Sequence, residues 1–186
     1  HKLTNIVDRL LYYFPYNEEH AVESNIYQIW HTSYTDGTAE IPKGCDELIE
    51  RWKSANSDHD YHFLSIEEAE DLAVDLLIPS VPEIIDALRM MPHNRLKFEF
   101  LKYIIIFLNG GVYADIDTIN LKPIKFWYES GIVPTKLWLG IDADYNHADW
   151  NAHFFRRLSF SNNIIRSKAH HPLLARVIAR IAFIMF

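Results

Sequence analysis

Two aspartates, Asp115 and Asp117, lie one residue apart in the second half of the chain. They follow Val112 and Tyr113, which are typical of the start of a buried strand. The carboxyl end of a sheet strand is where α/β folds bind their ligands. Carboxylate oxygens there suit Mg²⁺ or Mn²⁺ carrying a phosphorylated ligand. We therefore predict a divalent-cation site at Asp115 and Asp117, with a charged turn after a strand as the alternative.

The context of this central pair distinguishes it from two other Asp-x-Asp pairs in the chain. Residues 58–60 and 142–144 have the same spacing, but both are compatible with solvated loops, because carboxylates are mostly exposed. The central pair instead follows a long apolar run, 98–108, that Gly110 and Gly111 interrupt. Glycine ends a helix at low steric cost, so the order is helix, glycine pair, strand and carboxylates.

Hydrophobic spacing predicts the elements that position these residues. The predicted helices are 3–14, 45–55, about 66–77, 82–90 and 92–109, with a last helix from Pro172. The predicted strands are 26–30, 61–64, one starting at 112, 137–141 and 164–166, while 119–124 looks extended and 142–151 is a predicted loop. Ser65 and Glu68 form a predicted capping box for the third helix. Helices alternating with strands favour an α/β sheet.

Composition limits the class of protein. A chain of 186 residues with 49% hydrophobic and 14% aromatic residues fits one packed domain. The formal net charge of -7 argues against a general nucleic-acid binder. Lys102 and Asn109 bracket the longest apolar run, which is too short to span a bilayer. Because the chain starts without methionine and stops at the apolar segment 181–186, we expect a removed upstream segment and a continuation.

Residues 110–118, Gly-Gly-Val-Tyr-Ala-Asp-Ile-Asp-Thr, resemble the Asp-x-Asp segment of the fungal initiation-specific α-1,6-mannosyltransferase family. That family, glycosyltransferase family 32, belongs to the glycosyltransferases with a sugar-binding region containing a DXD motif. Similar segments occur along nearly the whole chain, at 14–16, 26–32, 52–53, 61–62, 81–83, 91–92, 121–123, 140–144, 167–168 and 171–172. The resemblance implies a GT-A type fold, with an N-terminal helix and linker (1–24), one Rossmann-like nucleotide-sugar-binding domain (25–186) and a C-terminal part missing.

The resemblance also implies roles for individual residues. Asp117 would contact the metal directly, and Asp115 would contact the donor's ribose or sugar, or the metal through water, so both are candidate catalytic residues. Gln28, Trp30 and Thr32 would lie near the nucleotide. Trp30 could equally pack in the core, because tryptophan is mostly buried but often keeps a polar handle exposed.

Two candidate donor-binding residues, Glu99 and Lys102, depart from the family's pattern. The family shows Ser-Asp-x-x-Arg where residues 98–102 are Phe-Glu-Phe-Leu-Lys. The charges are kept, but lysine cannot make the bidentate contact of a guanidinium, so we expect donor binding to be altered. The alternative is an i,i+3 ion pair on the helix.

Asp142, followed by Asp144, comes after another predicted strand, where the family has Glu-Ala-Asp. By the resemblance, these residues could line the acceptor side or stabilise the transition state, which makes Asp142 a third candidate catalytic residue. The alternative is a solvated acidic loop.

The activity that the resemblance implies is transfer of mannose from GDP-mannose to an N-glycan or mannan acceptor, in α-1,6 linkage with retention, with Mn²⁺ or Mg²⁺ bound. The expected location is the Golgi lumen, as the lumenal domain of a type II single-pass membrane protein whose anchor is absent from this chain. The sequence offers no clear nucleophile for a double displacement, which favours a front-side mechanism.

Two alternatives remain. The chain could be a weakly active or structural subunit of a Golgi mannan polymerase complex, in a hetero-oligomer with other mannosyltransferase subunits. Glu99, Lys102 and the apolar C-terminal end motivate this hypothesis. A phosphatase of the haloacid dehalogenase type also places Asp-x-Asp after a strand, with Asp115 as its nucleophile. Its motif normally follows the first strand of the domain, whereas here more than one hundred residues precede it.

Overall fold

Five strands form one mixed sheet in the computed structural model, which describes residues 5–31, 41–127, 136–153 and 155–186. The strands are β1 (Asn25–Trp30), β2 (Asp60–Ser65), β3 (Gly111–Ala114), β4 (Leu137–Asp144) and β5 (Leu158–Ser167). Their order across the sheet is β2-β1-β3-β5-β4. β1 is parallel to both β2 and β3, whereas β5 is antiparallel to β3 and β4. The carboxyl ends of the three parallel strands therefore meet at one edge of the sheet.

Helices connect these strands and pack against them. They are α1 (Ile6–Tyr13), α2 (Cys45–Ala55), α3 (Ile66–Leu77), α4 (Pro82–Met90), α5 (Asn94–Asn109), α6 (Trp150–His153) and α7 (Pro172–Ile184). The predicted capping box of α3 is confirmed, because Glu68 N donates to Ser65 Oγ at 3.0 Å and Ser65 N donates to the Glu68 carboxylate at 2.7 Å. Pro82 and Pro172 occupy first-turn positions of α4 and α7, where a missing N–H leaves no bond unmade.

Two hydrophobic clusters make up the core. The larger contains α5, whose residues 104–107 are completely buried, and Tyr113 and Ile165 from the sheet. The smaller contains Trp52 of α2, packed with Val112 and Ala114 of β3. β3 thus contributes alternate side chains to both clusters, as expected for a strand covered on both faces. This double burial fixes the position of the residues that follow β3.

The predicted α/β class is confirmed, and most predicted elements lie within a few residues of the observed ones. The prediction was wrong about β4, which continues through Asp144 instead of giving way to a loop at Asp142. The length of β5 was also underestimated, since this strand has 10 residues, Leu158–Ser167, rather than the three predicted at 164–166. Both errors have one cause, the long antiparallel pairing of β4 with β5, which brings Asp144 opposite Leu158. This pairing stabilises as strand polar residues whose sequence is typical of a loop. Residues 119–123 have no regular structure and precede a short 3-10 helix, Ile124–Phe126.

The predicted division into 1–24 and 25–186 stays a prediction. Leu10 of α1 is completely buried within the larger cluster. Among the described residues, we find no helix that is both long enough and apolar enough to span a bilayer.

Gly110 and Gly111 allow β3 to begin directly after α5. Both have positive φ angles, +64° and +96°, which residues other than glycine rarely adopt. A Cβ atom on Gly110 would overlap the Glu23 carboxylate, and one on Gly111 would overlap the carbonyl oxygen of Asn25. The glycine pair is therefore required both by backbone conformation and by close approach of β1 and its preceding residues.

We predict that Gly111→Ala destabilises the fold more than Gly44→Ala. Gly44 has a similar φ of +92°, but its Cβ position is open space. Gly44→Ala, the control, should lower the free energy of unfolding by about 1–2 kcal/mol, because alanine disfavours the left-handed conformation. Gly111→Ala should cost a further 1–3 kcal/mol or so for the overlap with β1. Urea unfolding measures both values, and equal costs would contradict the packing constraint.

Candidate functional site

The predicted carboxylate pair lies in a tight turn directly after β3. Thr118 N donates to the Asp115 carbonyl oxygen at 3.1 Å, and Thr118 Oγ1 donates to the same oxygen at 2.5 Å. Ile116, inside the turn, is buried at 3% exposure, whereas Asp117 is exposed. The turn therefore presents Asp117 to solvent and holds Asp115 closer to the protein interior.

Asp115 is held by two side chains. Its Oδ1 accepts hydrogen bonds from Tyr113 OH at 2.7 Å and from Lys102 Nζ at 3.3 Å, and its side chain is only 17% exposed. Burial raises the pKa of the Asp115 carboxyl, while the Lys102 charge and the Tyr113 hydrogen bond act in the opposite direction. Burial also raises the pKa of Tyr113, so its hydroxyl remains a donor at neutral pH.

Lys102 is completely buried in the middle of α5. Besides Asp115, its Nζ lies 3.0 Å from Glu99 Oε2 and 3.5 Å from the carbonyl oxygen of Asn162, and 5.2 Å from the centre of the Phe98 ring. An ammonium group has three N–H donors, and these three oxygens can accept all of them. The i,i+3 ion pair with Glu99, which was the alternative to donor binding, is therefore present together with a second carboxylate contact, to Asp115.

Residues of β5 complete this network. Asn162 Nδ2 donates to Glu99 Oε2 at 2.8 Å and to Tyr103 OH at 3.2 Å, and Asn163 O accepts from Asp115 N at 2.8 Å. Residues 162–164 of β5 have no partner in β4. Asn162 can therefore contact α5, and Asn163 can contact the turn. Sequence reasoning missed both asparagines, because only the sheet register shows which β5 residues lie beside α5.

Gln28 and Trp30, the predicted nucleotide contacts, lie in β1 but have different surroundings. Gln28 is completely buried; its Nε2 donates to the Asp115 carbonyl at 3.3 Å, and its Oε1 accepts from Tyr61 OH. Gln28 therefore supports the turn from behind. Trp30 is partly exposed and lines the cleft described below. Thr32 lies outside the described residues.

The C-terminal part of α2 anchors the segment after the turn. Trp52 Nε1 donates to the Thr118 carbonyl at 3.0 Å, and Arg51 Nε donates to the Asn120 carbonyl at 2.6 Å. The turn is thus fixed by hydrogen bonds at both of its ends. Nothing in the sequence shows that the Trp52 N–H reaches the turn.

A cleft of about 450 Å³ opens at the carboxyl ends of the parallel strands. It is lined by Trp30, His31, Pro42, Cys45, Arg95, Phe98, Glu99, Asp115, Ile116 and Asp117. The structure thus brings together four predicted site residues from three separate parts of the chain. Sequence reasoning missed Arg95 and Cys45, although Arg95 lies four residues before Glu99 and hence on the same side of α5.

Three predicted site residues do not line this cleft. Gln28 and Lys102 are completely buried behind it. Asp142 is exposed in β4 and is absent from the residues that line the cleft within the described chain. The roles predicted for these residues stay predictions.

The donor set of the cleft fits a divalent cation that keeps other ligands. Asp117 is exposed in the turn, and Asp115 has one oxygen that accepts neither the Tyr113 nor the Lys102 hydrogen bond. No cluster of three or more His, Cys, Asp or Glu side chains suited to a metal occurs among the described residues. Mg²⁺ and similar ions are commonly bound by one or two carboxylates together with water and phosphate oxygens. The residues present therefore fit an ion that arrives with a phosphorylated ligand.

Comparison with known proteins identifies the family. Residues 42–136 match the family model described as "Glycosyltransferase sugar-binding region containing DXD motif". The chain belongs to this glycosyltransferase family, and its DXD region, residues 115–117, implies use of a divalent cation. This membership goes against the phosphatase alternative, in which Asp115 would be a nucleophile.

Curated relatives match along most of the chain. The "Initiation-specific alpha-1,6-mannosyltransferase" of Candida albicans is 36% identical over 93% of this chain and 46% of its own length. "Putative glycosyltransferase HOC1" of Saccharomyces cerevisiae is 33% identical over 94% of this chain and 43% of its own length. The chain therefore spans less than half of these relatives.

A solved structure, "PaToxG Glycosyltransferase", superposes with a TM-score of 0.52 at 15% identity, over 93% of this chain and 63% of that one. At this identity the likeness concerns the fold alone. Together with the mixed sheet and the family, it confirms the predicted GT-A type fold.

We predict that Lys102→Met destabilises the protein by about 3 kcal/mol, because it leaves the Asp115 and Glu99 carboxylates without their buried cation. Lys122→Met is the control, since Lys122 is exposed; its effect should stay within about 0.5 kcal/mol. Urea unfolding in metal-free buffer measures both free energies.

The loss from Lys102→Met should also depend on pH. Without Lys102, the already raised pKa of Asp115 rises further. A carboxyl with a raised folded-state pKa favours folding at low pH, and this contribution is lost as the pH rises through that pKa. The difference in free energy of unfolding between Lys102→Met and wild type should therefore become smaller as the pH falls towards 3.8, the ordinary pKa of an aspartate. A difference that does not change with pH would contradict the assignment of Lys102 as the counter-ion of Asp115.

Proposed function

We propose that this chain contains the donor-binding site of a metal-dependent mannosyltransferase. The donor is GDP-mannose, and the acceptor is an N-glycan or mannan that receives an α-1,6 linkage with retention. The observation that carries this proposal is the cleft at the carboxyl ends of β1 and β3, which both DXD carboxylates line. A volume of about 450 Å³ lies within the usual range of small-ligand sites, and the two DXD carboxylates give the wall of the cleft oxygen donors for a cation.

Asp117 would hold the ion directly, and Asp115 would hold it through its second oxygen or through water. When bound, Mn²⁺ or Mg²⁺ neutralises the negative charge that develops on the leaving diphosphate. The exposure of Asp117 and the fixation of Asp115 by Lys102 and Tyr113 support this division. One carboxylate is free to bind a ligand, and the other is preorganised so that it does not need to move.

Apolar side chains of the cleft suit the rest of the donor. The Trp30 ring, from the end of β1, offers an aromatic face for guanine, and Phe98 of α5 supplies an apolar wall that excludes water. Glu99, which Asn162 and Lys102 hold in place, provides acceptor oxygens for sugar hydroxyls. The proposed contacts thus run from the base at Trp30 to the sugar at Glu99.

The reaction itself would take place on one face of the sugar. The bond between the anomeric carbon and the diphosphate oxygen breaks, and the acceptor oxygen bonds to the same face of that carbon. The acceptor's hydroxyl proton passes to the departing diphosphate oxygen. We favour this front-side route because the sequence offers no clear nucleophile for a double displacement. Asp142 remains a candidate on the acceptor side.

The mannose donor and the linkage rest on the relatives. The Candida albicans protein is named an α-1,6-mannosyltransferase, and its similarity covers the cleft residues of the described chain. Because this chain spans less than half of that protein, substrate and linkage are proposals for the whole enzyme. We likewise propose the Golgi lumen as its location, with a membrane anchor outside this sequence.

A second candidate function is that of a binding subunit in a hetero-oligomer of mannosyltransferases. The exposed apolar residues at the end of the chain favour it, since soluble monomers rarely expose large apolar patches. These are Leu173, Phe183, Ile184 and Phe186, with exposures of 46–69%. A subunit of this kind, purified alone, would bind GDP with Mn²⁺ but transfer no mannose.

We predict that Asp117→Asn abolishes Mn²⁺-dependent GDP binding and leaves the fold intact, because Asp117 is exposed and no hydrogen bond of the described residues depends on its side chain. Asp71→Asn is the control, since Asp71 is exposed on α3, away from the cleft. Calorimetry with GDP, in Mn²⁺ and in EDTA, measures the effect. If the Asp117→Asn variant bound GDP in Mn²⁺ as tightly as wild type does, the assignment of Asp117 as a metal ligand would be contradicted.

A further inference from the structure

The cleft contains more negative than positive charge. Its walls include the carboxylates of Glu99, Asp115 and Asp117. Lys102 neutralises part of this charge, but it is completely buried and all its N–H donors have acceptors in the protein. Lys102 therefore cannot reach a ligand without leaving Asp115. A divalent cation would offset the remaining carboxylates, yet a diphosphate brings further negative charge into the cleft.

Arg95 is the one guanidinium or ammonium group among the described residues that line the cleft. It lies in the first turn of α5, is exposed, and forms no ion pair with a carboxylate of the described chain. It is four residues, about one helical turn, before Glu99, so the two side chains share a face of α5. Its five donors therefore remain available to a ligand beside the DXD turn.

We infer that Arg95 binds the diphosphate of the donor and selects for nucleotides that carry one. A guanidinium binds phosphate oxygens through two parallel N–H bonds, which a buried lysine at position 102 cannot do. The start of α5 adds to this, because unpaired backbone N–H groups at a helix N-terminus also favour an anion. The assignment of Arg95 rests on the proposed donor site and names the residue that would hold the leaving group.

The test compares GDP with guanosine, which has the same base and ribose but no phosphate. Calorimetry in Mn²⁺ measures the dissociation constants of both for wild type, Arg95→Met, Arg95→Lys and the control Arg89→Met. Arg89 is an exposed arginine on α4 that lies 3.8 Å from Glu70 and outside the cleft. Circular dichroism checks that each variant is folded.

Arg95→Met should weaken GDP binding by about tenfold or more, the usual effect of losing a hydrogen bond to a charged group. Guanosine binding should not change, and Arg95→Lys should recover part of the GDP affinity. Arg89→Met should bind both as wild type does. Two results would overturn the assignment of Arg95 without affecting the proposed function. One is an Arg95→Met variant that binds GDP as tightly as wild type does, and the other is an equal loss of affinity for guanosine and for GDP. A wild-type chain that binds no GDP in Mn²⁺ would overturn the proposed function as well.

Discussion

The site depends on one buried positive charge. Lys102 is completely buried in α5, and its ammonium group lies between the carboxylates of Glu99 and Asp115. An isolated buried charge is very costly, so this lysine is tolerated only because both carboxylates and the Asn162 carbonyl surround it. The same contacts fix the DXD turn against the helix. Stability and the geometry of the cleft therefore have a common origin.

Much of the fold could be predicted from the sequence because its local signals agree with each other. The apolar run of α5, the glycine pair and the strand beginning at Val112 identified the order of elements around the site. The Ser65 capping box marked the start of α3. The sequence also showed that Asp115 and Asp117 follow a buried strand, and the structure places both residues on the cleft.

What the sequence could not show is which side chains meet across the sheet. The sequence did not show that Gln28 and Lys102 contact Asp115 from behind the cleft, and their predicted roles near the donor stay predictions. Asn162 belongs to a strand whose extent was underestimated, and its contacts depend on three residues skipped in the register with β4. Only the tertiary structure places Arg95 beside the DXD turn. These features follow from tertiary packing rather than from local pattern.

A crystal structure with Mn²⁺ and GDP tests the central claim, that Lys102 holds Asp115 in place so that Asp117 can bind a metal–diphosphate ligand. Anomalous scattering locates the manganese independently of the nucleotide. The account predicts a manganese peak within about 2.5 Å of an Asp117 oxygen, a diphosphate bound to it, and Lys102 still in contact with Asp115. Manganese bound away from Asp117, or a Lys102 ammonium that has left Asp115 for the diphosphate, would contradict it.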